Sequence, residues 1–118
     1  MPKVLIVDDD KDLRRIYANY LAEEGFDTLE AEKSEQAWEE FRDQNLDVIL
    51  LDIQMPLPDY QQLIPAIRQS HSHAKIIVFS CYDLMFQRMT VKNADDYFNK
   101  TEGTELLVSK IKNILLKN

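Results

Sequence analysis

Acidic side chains gather at two points in this chain, each directly after a run of branched apolar residues. Val4-Leu5-Ile6-Val7 leads into Asp8-Asp9-Asp10, and Val48-Ile49-Leu50-Leu51 leads into Asp52, with Met55-Pro56 shortly beyond. A third run, Ile76-Ile77-Val78-Phe79, ends in Ser80, and Asp96-Tyr97-Phe98-Asn99 ends in Lys100. Carboxylates brought into one crevice repel, and burial pushes protons onto them. A hard divalent cation resolves that conflict, and Mg2+ suits a few carboxylates, some water and a phosphate oxygen. A lysine supplies a point charge and a serine hydroxyl a donor, both suited to a phosphoryl group in transfer. A carboxylate in such a set is itself a nucleophile that forms an aspartyl phosphate. Asp52 is the candidate.

These residues can act together only if the fold brings the ends of the apolar runs to one place. Short continuous apolar runs suit strands buried on both faces, as in a parallel sheet, and Pro56 keeps the Asp52 strand from continuing. Between the strands the apolar residues recur at helical spacing. Leu13, Ile16, Tyr17, Tyr20 and Leu21 lead up to Gly25, a natural stop. Asp27 to Ala31 reads as a strand nearer an edge. Ser34 is an expected N-cap for a helix with Ala37, Trp38 and Phe41 inward. Leu63, Ile64 and Ile67 mark the next helix, and Pro65 within it predicts a late start or a bend. A helix over Leu84 to Lys92 carries Met85, Phe86 and Met89. Leu106, Leu107, Ile111, Ile114 and Leu115 stripe the last, with lysines toward its C-terminus matching the dipole. Five strands alternating with five helices imply an α/β fold, a doubly wound five-stranded parallel sheet with right-handed crossovers. All carboxyl ends of such a sheet face one edge.

The bulk properties narrow the function classes. A chain of 118 residues makes one domain. The formal net charge of −7 argues against binding nucleic acid directly. Cys81 is the single cysteine, so no internal disulfide forms, consistent with a reducing, cytoplasmic setting. No apolar run approaches membrane-spanning length and no signal-peptide pattern opens the chain. Two glycines exclude glycine-rich phosphate loops. Phosphate chemistry falls to side chains.

On Val7-Asp8-Asp9, Asp52 with Met55-Pro56, Ser80 and Lys100, taken in that order, the chain resembles the receiver domains of two-component response regulators over residues 1–118. The resemblance implies the flavodoxin-like strand order 2-1-3-4-5. It implies that Asp52 is the phosphoacceptor, served by the phosphohistidine of a sensor histidine kinase or histidine phosphotransfer protein. Asp9, Asp52 and the backbone carbonyl of Gln54 would bind Mg2+, with Asp8 acting through metal-bound water. Ser80 and Lys100 would hold phosphoryl oxygens, and Gln54 and Tyr82 would flank the path of the hydrolytic water. Tyr97 falls at the switch-aromatic position and would follow Ser80 inward, while the methionine-rich fourth helix repacks. The fourth helix, fifth strand and fifth helix would face an output partner, with homodimerisation on phosphorylation as one option. Such a protein is a signalling phosphoacceptor, not an enzyme with an outside substrate.

Plainer readings stand beside these. Asp10 is better read as a helix cap. Ser80 also suits a simple strand end, Lys100 a solvated edge and Tyr97 a core aromatic. His71 and His73 fall in a loop before the fourth strand and are not candidate phosphoacceptors, and Cys81 reads as a small packing residue near the site. One rival is a haloacid-dehalogenase-type phosphatase, with Asp8 as nucleophile and Asp10 two residues on; it leaves Asp52 and Met55-Pro56 unexplained. The other is a degenerate receiver that binds partners without being phosphorylated. The intact site argues against that second rival, though three departures from the family pattern keep it open: Tyr60 where glycine is usual, Thr101 where a cis-linked proline is usual, and a short segment between Ser80 and Lys100. None removes a residue needed for phosphoryl transfer.

Overall fold

The computed structural model describes residues 1–53 and 60–117, with Tyr60 described in its backbone only. Gln54, Met55 and Pro56 therefore lie outside the described residues. Each apolar run forms a strand: β1 (Lys3–Val7), β3 (Val48–Leu51) and β4 (Lys75–Ser80) are buried almost throughout, while β2 (Asp27–Ala31) is largely half-exposed. β5 (Asp96–Asn99) stops one residue before Lys100. The helices are α1 (Lys11–Glu23), α2 (Ser34–Phe41), α3 (Tyr60–Ser70), α4 (Leu84–Thr90) and α5 (Thr104–Leu115). The five strands form one parallel sheet in the order β2-β1-β3-β4-β5, as the sequence reading expects.

Alternation along the strands builds two cores. Leu5, Val7, Ile49, Leu51, Ile76, Val78 and Tyr97 face α2, α3 and the inner side of α4. Val4, Ile6, Val48, Leu50, Ile77, Phe79 and Phe98 face α1 and α5, against Tyr17, Leu21, Leu107 and Ile111. The strand ends are level, with Val7 beside Leu51, Leu51 beside Val78, and Ser80 beside Asn99. The ladder runs on past them. Asp8 donates its N–H to Ala31 at 3.1 Å, Asp52 to Val7 at 3.0 Å and Lys100 to Ser80 at 2.8 Å. The main chain of each candidate residue is thus held by the sheet.

Asp10 caps α1, accepting from the Leu13 N–H at 3.1 Å, and the chain turns after it through Gly25 at φ 98°. A side chain at Gly25 would be strained there. Ser34 does not cap α2. Lys33 holds the cap position without a side-chain bond, and Ser34 is the first helical residue, its side chain buried and its hydroxyl without a hydrogen-bond partner. α3 does not start late; it runs through Pro65. Tyr60 opens that helix, and no described non-glycine residue has a positive φ. No described peptide bond is cis, so Lys100–Thr101 is trans. α4 ends at Thr90, short of Lys92.

The face of α4 is the main surprise. Met85 and Met89 are 73% and 70% exposed, Phe86 also lies open, and the one buried residue is Gln87. On α5, Val108 is buried and Leu106 is exposed, a shift of the expected stripe. The outer edge of β5 is closed by side chains: Asp96 Oδ1 accepts from the Tyr97 N–H at 2.8 Å, and Lys110 Nζ donates to the Tyr97 carbonyl at 2.6 Å. Among the described residues no helix is long and apolar enough to cross a membrane.

Candidate functional site

Continuing the strand alternation by one step places Asp8, Asp52 and Lys100 on the α1/α5 side of the sheet edge, and the side chains meet there. Lys100 Nζ donates to Asp8 Oδ2 at 2.6 Å and to Asp52 Oδ2 at 2.9 Å. All three side chains are at most 5% exposed. Burial alone would lower the lysine, but the Asp52 charge and the hydrogen bonds to both carboxylates outweigh it and hold Lys100 above the ordinary lysine range. The ammonium stands 4.7 Å over the Phe79 ring, and Tyr17 packs edge-on to the same ring at 5.4 Å. Burial pushes the Tyr17 phenol up, against the pull of the Lys100 charge. Lys100 is no solvated edge residue.

Asp8 is held on every side. Its Oδ1 accepts from the Asp10 N–H at 3.0 Å, and its carbonyl accepts from Arg14 at 2.6 Å. Arg14 also pairs with Glu30 at 3.0 Å, which Arg15 reaches from the other side. The sequence reading passed over Arg14, because an arginine on a charged, amphipathic helix looks solvated. Both carboxylate oxygens of Asp8 are thus engaged, and the residue has no exposure.

Carboxylate oxygens of Asp8, Asp9 and Asp52 lie within 4.8 Å of one another, with Asp9 the most open. Three carboxylates face a single ammonium, so a net negative charge remains. An all-oxygen set of this kind, with one ligand open to solvent, fits a hard divalent cation such as Mg2+.

Ser80 continues the other face of the sheet. Its Oγ accepts from the Tyr82 N–H at 3.3 Å. Cys81 is exposed rather than packed: it follows Ser80 in the β4–α4 turn, near the Tyr17 phenol at the edge of the site. Tyr82 is partly exposed and lies against Phe86, ring centroids 4.5 Å apart. Tyr97 is buried on the same face as Val78, donates its hydroxyl to the Val91 carbonyl, and carries the Arg88 guanidinium over its ring at 5.4 Å. His71 is buried, its ring between Ser70 Oγ and the Gln44 carbonyl at 2.8 and 2.9 Å, far in the fold from the acidic edge.

A doubly wound parallel sheet whose carboxyl edge gathers three aspartates, two of them bonded to one buried lysine, defines a receiver-type signalling module. The chain belongs to the response regulator receiver domain family, whose model matches residues 4–112. It is 32% identical over 119 aligned positions to the transcriptional regulatory protein CpxR of Escherichia coli (strain K12), covering 100% of this chain and 51% of that protein. It is 36% identical over 114 positions to the transcriptional regulatory protein YxdJ of Bacillus subtilis (strain 168), covering 95% and 49%. The chain thus spans about half the length of these curated relatives. The response regulator protein TrrA of Thermotoga maritima, solved in complex with Mg(2+)-BeF, superposes with a TM-score of 0.85 at 32% identity, covering 97% of this chain and 99% of that one. Receivers are the phosphoacceptor modules of two-component response regulators, and neither the phosphatase nor the degenerate reading is favoured for this one.

Proposed function

We propose that residues 1–118 form one receiver domain that takes a phosphoryl group onto Asp52 from the phosphohistidine of a sensor histidine kinase or histidine phosphotransfer protein. The observation that carries this reading is the Lys100 ammonium set between Asp52 and Asp8. It holds the Asp52 carboxylate in place and leaves a positive charge where phosphoryl oxygens would gather. An Asp52 oxygen attacks phosphorus in line, an O–P bond forms as the N–P bond breaks, and the pair of electrons leaves with the imidazole. Asp9 and Asp52, with the Gln54 carbonyl, would hold Mg2+, and Asp8 would act through its water. The ion, when bound, supplies charge neutralisation for the incoming oxygens. The Mg(2+)-BeF complex of TrrA supports carrying this ion to the present chain. Ser80 would donate to a phosphoryl oxygen and, with Tyr97, relay the change to the face of α4, β5 and α5, where an output partner or a second copy docks. No direct contact with nucleic acid or membrane is proposed, and the setting is cytoplasmic.

Incubation with a small phosphodonor and Mg2+, followed by mass-spectrometric mapping, tests the site. Modification of Asp52 that disappears in Asp52→Asn is expected. Modification of Asp8 would restore the phosphatase reading, and no modification would make the domain an unphosphorylated interaction module.

A further inference from the structure

Gln87 is fully buried, and three backbone carbonyls converge on its amide nitrogen: Tyr82 at 2.7 Å, Phe98 at 3.0 Å and Ser80 at 3.3 Å. Only an amide N–H2 can face three acceptors, so the orientation of the group is settled by its surroundings. Two hydrogens serve three carbonyls, and the bonds therefore compete. The other end of the amide, Oε1, is buried without a partner, and a buried acceptor left unpaired is costly. One side chain of α4 thus grips the end of β4, the following turn and β5 together. It is also the one residue that α4 buries, so the helix has no apolar residue of its own fully seated in the core.

We infer that Gln87 is a positioning residue: its amide sets the Ser80–Tyr82 turn and ties that turn to α4, so that turn and helix shift together when a phosphoryl group is held. The inference rests on the reading of Ser80 as the hydroxyl facing that group. Movement of the turn toward Asp52 draws the Ser80 and Tyr82 carbonyls with it. The amide redistributes its two hydrogens, and α4, which carries the amide, follows.

The test uses the full chain, Mg2+ and beryllium fluoride as the phosphoryl stand-in, with NMR as readout. In the parent, the Gln87 side-chain amide protons exchange slowly and shift on adding the ligand, together with backbone amides from Leu84 to Thr90. In Gln87→Met, which keeps the length and loses the donors, shifts near Asp52 persist while those of α4 lose most of their amplitude. Apparent affinity for beryllium fluoride changes by about fivefold, the size of one net hydrogen bond. A role confined to stability would lower the unfolding midpoint and leave the ratio of α4 shifts to Asp52 shifts as in the parent; that result overturns the inference. If Gln87→Met does not fold, the parent amide protons decide alone, and their failure to shift overturns it. A parent with no shifts around Asp52 at all defeats the phosphoacceptor reading, and the inference with it.

Discussion

α1 and α4 are both capped by an aspartate, Asp10 on Leu13 and Asp83 on Phe86, yet they are joined to the sheet by different forces. α1 has 13 residues and buries Tyr17, Ala18 and Leu21. α4 has 7 residues, buries only Gln87, and turns Met85, Phe86 and Met89 outward. A fully buried large apolar side chain is worth about 1.5–3 kcal/mol, whereas a net hydrogen bond is worth about 1 kcal/mol. Apolar contact is also tolerant of small shifts, while hydrogen bonds to defined carbonyls transmit them. The α1/α5 side therefore suits a rigid seat for Asp8, Asp52 and Lys100. The α4 side suits a part that moves, since segments with few buried apolar contacts open at the lowest free energy.

The largest effect is expected on the rigid side. Lys100→Met leaves Asp8 and Asp52 facing each other without their cation, at a cost of about 3 kcal/mol, the low end for a broken buried pair because the crevice opens to water. Urea titration without Mg2+ measures it, and added Mg2+ should restore part of the loss. The pH dependence follows from the raised lysine. The stability it contributes is complete below the ordinary lysine value of about 10.4 and is lost as pH rises through the higher folded value. Parent and variant should therefore converge in strong alkali. Equal stability at neutral pH would show that the ammonium carries no weight.

A paired substitution sharpens the contrast between the helices. Leu107→Ala on α5, at a position with no exposure, should cost about 3 kcal/mol through the cavity it leaves. Met89→Ser on α4 should stay within about 0.5 kcal/mol, as for an exposed position. A comparable loss from Met89→Ser would mean that α4 is seated by its methionines after all. The last substitution concerns the open carboxylate: Asp9→Asn should weaken Mg2+ binding by about tenfold or more, because a neutral amide cannot offset the ion's charge. The fold should hold or gain slightly as one repulsion is removed. Mg2+ titration by intrinsic fluorescence reads this, and unchanged affinity would take Asp9 out of the metal site.

The strands and the acidic edge were legible because a strand buried on both faces has no room for polar residues. Val4 to Val7 and Val48 to Leu51 announce themselves, and the first carboxylate after each marks where the sheet ends. Asp8, Asp52 and Lys100 could be brought together from topology alone. What hid was set by side-chain detail within short elements. Ser34 has the right chemistry for a cap, but the helix begins on it and turns its hydroxyl inward. Cys81 is small enough for a core, yet it falls where the chain has already left the sheet. Gln87, a polar residue among methionines, was not singled out; the spacing of Leu84, Gln87 and Val91 did place it on the inner face, and residue type masked that signal.

The closed edge of β5 bears on how copies of this domain can meet. A bare edge strand offers its N–H and C=O groups to any other strand and invites runaway association. Here Asp96 and Lys110 already occupy both groups of Tyr97. A neighbour approaching from this side finds no backbone template to extend, and the sheet cannot grow into a fibre there. Contact across that face must be written in side chains, which can be tuned one residue at a time and broken without unravelling a strand.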